Sequence, residues 1–277
     1  MERTKIGLRD KMFAHAHTAG SAFLDFPSDL PFEWDRSMAT QPITVFTDEN
    51  LNDALECRSP QKVAWLYESP EVTRKSYKAI HRNADKFERV LTFHQPLLEK
   101  YSNTRFTPIG GCWLHQKDWE IFEKNEKVSI IASTKKSLPG HKLRHRVVSE
   151  NKSSISLIAG NGYHPIQFKI EALKSFRYSI CIENCRENYY FTEKLIDCLL
   201  TGTVPIYWGC PGIGLFFNLD GMIQFNHPSE LKKILASLSE SDYARRLNAI
   251  RQNFHLALRY TFAERHVWDH IHPLTDQ

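Results

Sequence analysis

Between residues 178 and 209 the chain sets hydrogen-bonding and titratable side chains between two apolar runs. Glu183 and Asn184 follow the run 178–182. Tyr190, Thr192, Glu193 and Lys194 then open a segment in which Leu195, Ile196, Leu199 and Leu200 share one helical face. Gly202 stands where a helix C-terminal glycine belongs, and 204–208 reads as the next strand. The polar loop therefore lies at a strand's carboxyl end and a helix's amino end. Unpaired backbone N–H groups and the helix dipole make that place favourable for a phosphate. Lys194, in the first turn, has the wrong charge for an isolated helix, and a bound pyrophosphate would reverse that penalty. Glu193 suits the dipole and can accept hydrogen bonds from ribose or sugar hydroxyls. Taken singly, Glu183, Asn184, Glu193 and Lys194 also fit a solvated helix entry; the spaced set between two buried strands favours the anion site.

These residues need a frame to position them. At 277 residues, with 42% hydrophobic and 25% charged side chains, the chain has the length for two α/β domains and the composition of a folded protein. Strand-like runs at 42–47, 62–66, 89–93, 128–133, 154–158, 178–182 and 203–208 alternate with helix patterns. The helix patterns lie near 72–85, 94–102, 142–150, 166–176, 191–201, 228–238 and 240–259. Several strand runs lack polar alternation, as strands covered on both faces do, and the alternation predicts parallel sheets wound with helices. Residues 1–41 show no period and read as irregular. The charged stretch 116–127 is the expected break, giving domains 1–122 and 123–277, with the C-terminal helix able to pack back on the first. Two such units with a cleft between them would hold ligands at the carboxyl ends of the strands.

Composition also narrows the function classes. A net charge of +4, from 36 basic and 32 acidic residues without a basic-aromatic repeat, points away from nucleic acid. The amino-terminal residues lack an apolar signal core and no run of 18 apolar residues occurs, so the expectation is a soluble, cytoplasmic chain without a transmembrane segment. The six cysteines read as reduced thiols packed as small apolar groups. His266 and His270 share a helical face, yet without the metalloprotease Glu they read as part of an aromatic helix (Tyr260, Phe262, Trp268) packed on the fold.

The run IENCRENYYFTEKLIDCLLTGTVPIYWG resembles the donor-binding motif of the α-1,3-fucosyltransferases, the family 10 glycosyltransferases. Glu183, Asn184, Tyr190, Thr192, Glu193, Lys194, Val204, Pro205 and Gly209 match that pattern. Ile182 and Phe191 replace its Phe and Val, both apolar exchanges. The resemblance is strongest over 125–215. It implies an α/β, GT-B-like fold of two Rossmann-like domains with parallel sheets facing across a cleft, the donor in the C-terminal half and the acceptor mainly in the N-terminal half. It also implies that Tyr190, Glu193 and Lys194 contact a nucleotide diphosphate sugar. The strand at 128–133, ending in Ser133, and Arg144 on the following helix are similar to the family's strand, turn and phosphate-binding Arg. A planar guanidinium pairs bidentately with phosphate, which suits that task. Lys135, Lys136, Lys142 and Arg146 read as a solvated basic face outside the site.

The run 62–70 (KVAWLYESP) ends a buried strand at Glu68 and a Ser-Pro turn. The family places its base Glu in a comparable strand-end segment, so Glu68 is the candidate to deprotonate an acceptor hydroxyl in an inverting displacement. Glu71 is the fallback, and turn capping is the plainer alternative for Glu68. With no D-x-D, P-loop or dinucleotide fingerprint present, the chain is read as metal-independent, needing no cofactor beyond a nucleotide-sugar co-substrate. The resemblance makes GDP-fucose the default donor and an oligosaccharide or glycan the acceptor, although no residue selects guanine or fucose. A UDP-sugar such as UDP-xylose is the alternative donor; a non-catalytic nucleotide- or carbohydrate-binding domain is the rival of another class.

Overall fold

Apolar runs without polar alternation become strands covered on both faces, and both sheets of this chain are built that way. The computed structural model describes residues 3–14, 16–21 and 23–275. The chain divides into two compact units, one formed by 1–109 with 262–277 and the other by 110–261.

In the first unit, β1 (Thr4–Arg9), β2 (Phe32–Asp35), β3 (Ile43–Thr47), β4 (Gln61–Trp65), β5 (Arg89–Thr92) and β6 (Thr104–Phe106) form one sheet in the order β2-β1-β3-β4-β5-β6. Every neighbouring pair is parallel, with Val45 opposite Val63 and Ala64 opposite Val90. Helices α1 (Arg74–Asn83) and α2 (Gln95–Lys100) link the later strands. Tyr77, Ile80 and Leu97 from these helices pack on Phe46, Ala64 and Val90. The expectation that 1–41 is irregular is corrected here, because β1 sits inside the sheet between β2 and β3. Lys5, Gly7 and Arg9 break up its apolar residues, so no continuous apolar run marks it, and its identity comes from pairing with residues far along the chain.

The second unit contains β7 (Glu126–Ile131), α3 (Pro139–Asn151), β8 (Leu157–Ala159), β9 (Phe176–Ile182), α4 (Glu193–Leu200), β10 (Val204–Trp208), β11 (Ile223–Gln224), α5 (Leu231–Ser237) and α6 (Glu240–Leu258). Its sheet runs β11-β10-β9-β7-β8, again all parallel. The chain leaves β7 for β8 on one side, then returns to β9 on the other. The gap between β7 and β9 is thus a topological switch point, where parallel α/β sheets open a crevice for ligands. Val128, Ile130, Tyr178, Ile180, Val204 and Ile206 form the core beneath helical side chains such as Val147 and Ile250.

Two boundaries differ from expectation. The helix expected over 166–176 is only a 3-10 turn at Lys169–Ala172. The division between units falls after residue 109, ahead of the charged stretch 116–127. That stretch is bound to the second unit: Glu120 N–H donates to Leu200 O, and the buried Lys124 Nζ donates to Leu173 O, Thr201 O and Thr203 Oγ1 at 3.2, 2.7 and 3.0 Å. The C-terminal helix α7 (Ala263–Thr275) belongs to the first unit, where Trp268 stacks on Phe32 at 5.2 Å and His270 Nε2 meets Phe106 O at 2.8 Å. All six cysteines are free thiols. No helix among the described residues is long and apolar enough to cross a membrane.

Candidate functional site

A cavity of about 570 Å³ opens in the second unit where β7 and β9 end, at the switch point. Ser133 and Lys135 line it after β7, His141 and Arg144 from α3, Asn184 after β9, and Glu193, Lys194 and Asp197 from α4. The amino end of α3 is stitched to the loop after β9 beside it. Gly140 N–H donates to Asn184 O at 2.9 Å, and a Cβ at Gly140 would lie 1.7 Å from Glu183 O, so only glycine permits this approach.

The loop after β9 is held by a fully buried carboxylate. Glu183 Oε1 accepts the Thr192 N–H at 2.9 Å, and Oε2 accepts the Thr192 hydroxyl at 2.7 Å. Thr192 in turn caps α4, its Oγ1 accepting the Lys194 N–H. Burial pushes the Glu183 carboxyl up, while Lys194 Nζ, 3.8 Å from Oε2, pulls it down. Glu183, Tyr190 and Thr192 therefore lie behind the cavity wall and build the loop, while Ser133, Arg144, Asn184, Glu193 and Lys194 reach the cavity. Phe191, the bulkier exchange in the motif, fits because Phe216, Phe217 and Tyr260 surround it with ring centroids 4.9, 5.6 and 5.2 Å away.

The cavity has two electrostatic ends. At one, Arg144 Nε and Nη2 donate to Ile182 O at 3.0 and 2.8 Å, and Nη2 also donates to Asn184 Oδ1 at 3.0 Å. These bonds fix the buried guanidinium, which stays charged at any ordinary pH. Together with Lys135 and Lys194 it makes this end cationic. At the other end Lys169 Nζ bridges Glu193 Oε1 at 3.3 Å and Asp197 Oδ2 at 2.9 Å, lying 5.4 Å from the Trp113 ring centre. Asp197 Oδ1 accepts the Trp113 N–H at 2.8 Å. Burial alone would raise the Glu193 carboxyl, but Lys194 and Lys169 outweigh it and hold Glu193 well below the usual carboxylate range. Glu193 is therefore an acceptor-only group, suited to sugar or ribose hydroxyls.

The sequence reading missed His141, Lys169, Asp197, Trp113 and Lys135, all of which line this cavity. Asp197 stands four residues after Glu193 and His141 three before Arg144, so helical spacing carried both. Lys169 opens a short 3-10 turn and Trp113 lies outside regular elements, and no local pattern marks either.

Glu68 lies in the first unit, three residues past β4 and half-buried. Its segment is anchored by the buried Asp48. The N–H groups of Tyr67 and Glu68 donate to the Asp48 carboxylate at 3.1 and 3.4 Å, and Thr73 Oγ1 donates at 3.1 Å. The Tyr77 hydroxyl donates to Glu68 O at 2.7 Å. Burial, then the negative charge of Glu68, push Asp48 up to about 8. Glu71 is exposed and immediately follows Ser69-Pro70.

No family model matches the chain. It is 40% identical over 57 residues to an alpha-(1,3)-fucosyltransferase, FucT, of Helicobacter pylori, covering 21% of this chain and 12% of that protein. It is 30% identical over 107 residues to GDP-fucose protein O-fucosyltransferase 3 of Bos taurus, covering 37% of this chain and 21% of the relative. The matched segments thus span a small part of each relative. In fold, the whole chain overlays an alpha1,3-fucosyltransferase solved with GDP at TM-score 0.60 and 14% identity, covering 91% of that structure. HepE of Anabaena, solved with UDP-glucose, overlays 84% of this chain at TM-score 0.57 and 11% identity, covering 79% of that structure. Over part of its length the chain is thus similar in sequence to fucosyltransferases, and its two parallel-sheet domains share the GT-B fold of the α1,3-fucosyltransferase that they overlay.

Proposed function

We propose that the chain transfers a sugar from a nucleotide diphosphate donor to a hydroxyl of a glycan acceptor, with GDP-fucose as the donor. The observation that carries this reading is the cavity at the β7–β9 switch point, where a cationic end meets the acceptor-only Glu193. A nucleoside diphosphate is anionic at its phosphates and rich in hydroxyls at its sugars, so it complements both ends. Arg144 and Lys194 take the diphosphate and Glu193 takes hydroxyls, while Glu183, Tyr190 and Thr192 hold the loop that presents them.

Glu68, on the first unit, is the proposed base. It removes the proton of the acceptor hydroxyl as the oxygen attacks the anomeric carbon. The bond from that carbon to the diphosphate breaks, and the charge gained by the leaving diphosphate is met by Arg144 and Lys194 without a metal ion. One base and one displacement give inversion at the anomeric carbon. The anomeric configuration of the product reads this step directly, and retention would remove the single displacement.

A second reading keeps the fold and chemistry but changes the donor to a UDP-sugar. Its support is that HepE, of comparable fold likeness, was solved with UDP-glucose. Thermal shift of the purified protein with GDP, UDP, CDP, ADP and their sugar conjugates, with and without divalent metal, separates the two. A ligand at a hundred times its dissociation constant adds about 2.7 kcal/mol to the folded state. Stabilisation by GDP and GDP-fucose supports the first reading, a response to UDP alone supports the second, and no response to any nucleotide contradicts both.

A further inference from the structure

His141 is the third residue of α3, and its side chain is more than nine-tenths buried while lining the cavity. The Leu138 N–H donates to its Nδ1 at 3.3 Å, and the Ser137 hydroxyl lies 3.3 Å from the same nitrogen. A peptide N–H can only donate, so Nδ1 must be the unprotonated nitrogen and the ring proton sits on Nε2. Burial, followed by the charges of Arg144, Lys135, Lys194 and His145, depresses the ring to about 4, so at neutral pH it is uncharged. One edge of the imidazole thus closes the amino end of α3, leaving a fixed donor on a ring that borders the cationic end of the cavity.

We propose that His141 is a diphosphate-binding residue, its Nε2–H donating to a phosphate oxygen held between the amino ends of α3 and α4. The proposal rests on the reading of the cavity as a nucleoside diphosphate site. An uncharged donor is well matched to this place. It adds a directed hydrogen bond to the anion, yet in the empty site it adds no repulsion to Arg144, Lys135 and Lys194. Because Leu138 has already set the tautomer, the donor is oriented before the ligand arrives. An ordinary capping residue at this position would need only the Nδ1 edge. Asparagine supplies that edge alone, since its Oδ1 occupies the place of Nδ1 and nothing stands in for Nε2.

The test is calorimetric titration of GDP, UDP and the matching nucleosides into wild-type protein and His141→Asn, with melting temperatures measured alongside. The expected result is a diphosphate affinity weakened about tenfold, the loss of one hydrogen bond to a charged group, with unchanged nucleoside affinity and an unchanged melting temperature. Wild-type diphosphate affinity in His141→Asn would overturn the role of His141 while leaving the cavity reading intact. Failure of wild-type protein to bind either diphosphate would overturn that reading, and the proposal with it. Nitrogen-15 NMR of wild-type protein provides a check that needs no variant. It should show Nε2 protonated, with its resonance shifted by the bound diphosphate; a proton on Nδ1, or no shift on binding, would also overturn the proposal.

Discussion

Two carboxylates, Glu193 and Asp48, lie in different units and meet opposite fates. Asp48 is removed from water and Glu193 largely so, which by itself favours the neutral acid. Glu193 has Lys194 Nζ 3.1 Å and Lys169 Nζ 3.3 Å from its Oε1, and it is held ionised. Asp48 has only neutral donors, two backbone N–H groups and a hydroxyl; burial, then the like-signed charge of Glu68, raise it to about 8. The second unit has arranged cations around its acid and thereby made a fixed binding group. The first unit has withheld them and kept a proton close to the segment that carries Glu68. The same side-chain chemistry is thus kept ionised in one place and protonated in the other.

The sharpest way to break this comparison is at Glu68. Glu68→Gln preserves size and backbone bonds while removing the proposed base, so transfer should fall by about 10²–10⁴-fold, with donor affinity changed little. A kinetic assay with donor titration reads both numbers, and full activity would remove Glu68 from the reaction.

The next test removes a cation from Glu193. Lys169→Met leaves Asp197, 1% exposed, without its ion partner. Breaking a buried pair costs about 3–5 kcal/mol; because Lys169 keeps 22% side-chain exposure, about 2–3 kcal/mol of unfolding free energy should be lost. Denaturant unfolding measures this. Adding Asp197→Asn should restore part of the loss, and strict additivity of the two changes would show that the pair is not coupled.

A third effect lies at Asp48 and appears as a pH slope. A carboxyl raised from 3.8 to about 8 by folding binds its proton more tightly in the folded state, so its contribution is present at low pH and is lost as pH rises toward 8. Glu264, buried in the same unit and raised to about 7, acts in the same direction over an overlapping range. The difference between wild-type and Asp48→Asn unfolding free energies, followed from pH 4 to 8, therefore isolates Asp48. That difference should shrink as pH rises, and a constant difference would contradict the assigned environment.

Much of the site was readable because its chemistry is contiguous. Glu183 to Lys194 fall in one strand–loop–helix run, and the strand end, the Thr192 cap and the apolar face of α4 are all local features. Spacing could not distinguish residues that touch a ligand from those that hold the loop. Glu183 and Thr192 carry the motif as strongly as Glu193 does, yet they are bonded to each other behind the wall. Lys135 reads as part of a solvated basic face but lines the cavity, since the turn of chain after β7 brings it there. In the fold, strands with continuous apolar runs were legible, whereas β1, β2 and β6 lack such runs and owe their identity to their pairing partners. The break between units was misplaced because 116–127 looks solvated, while Lys124 is buried under three carbonyl oxygens.

The central claim is that the cavity at the β7–β9 switch point is the diphosphate end of a donor site. Calorimetric titration of GDP and UDP into wild-type protein and Lys194→Ala tests it most directly. Loss of one charge-assisted contact, worth about 1.5–3 kcal/mol, should weaken the preferred diphosphate by about one to two powers of ten while leaving its nucleoside unaffected. Equal diphosphate affinity in both proteins would contradict the account.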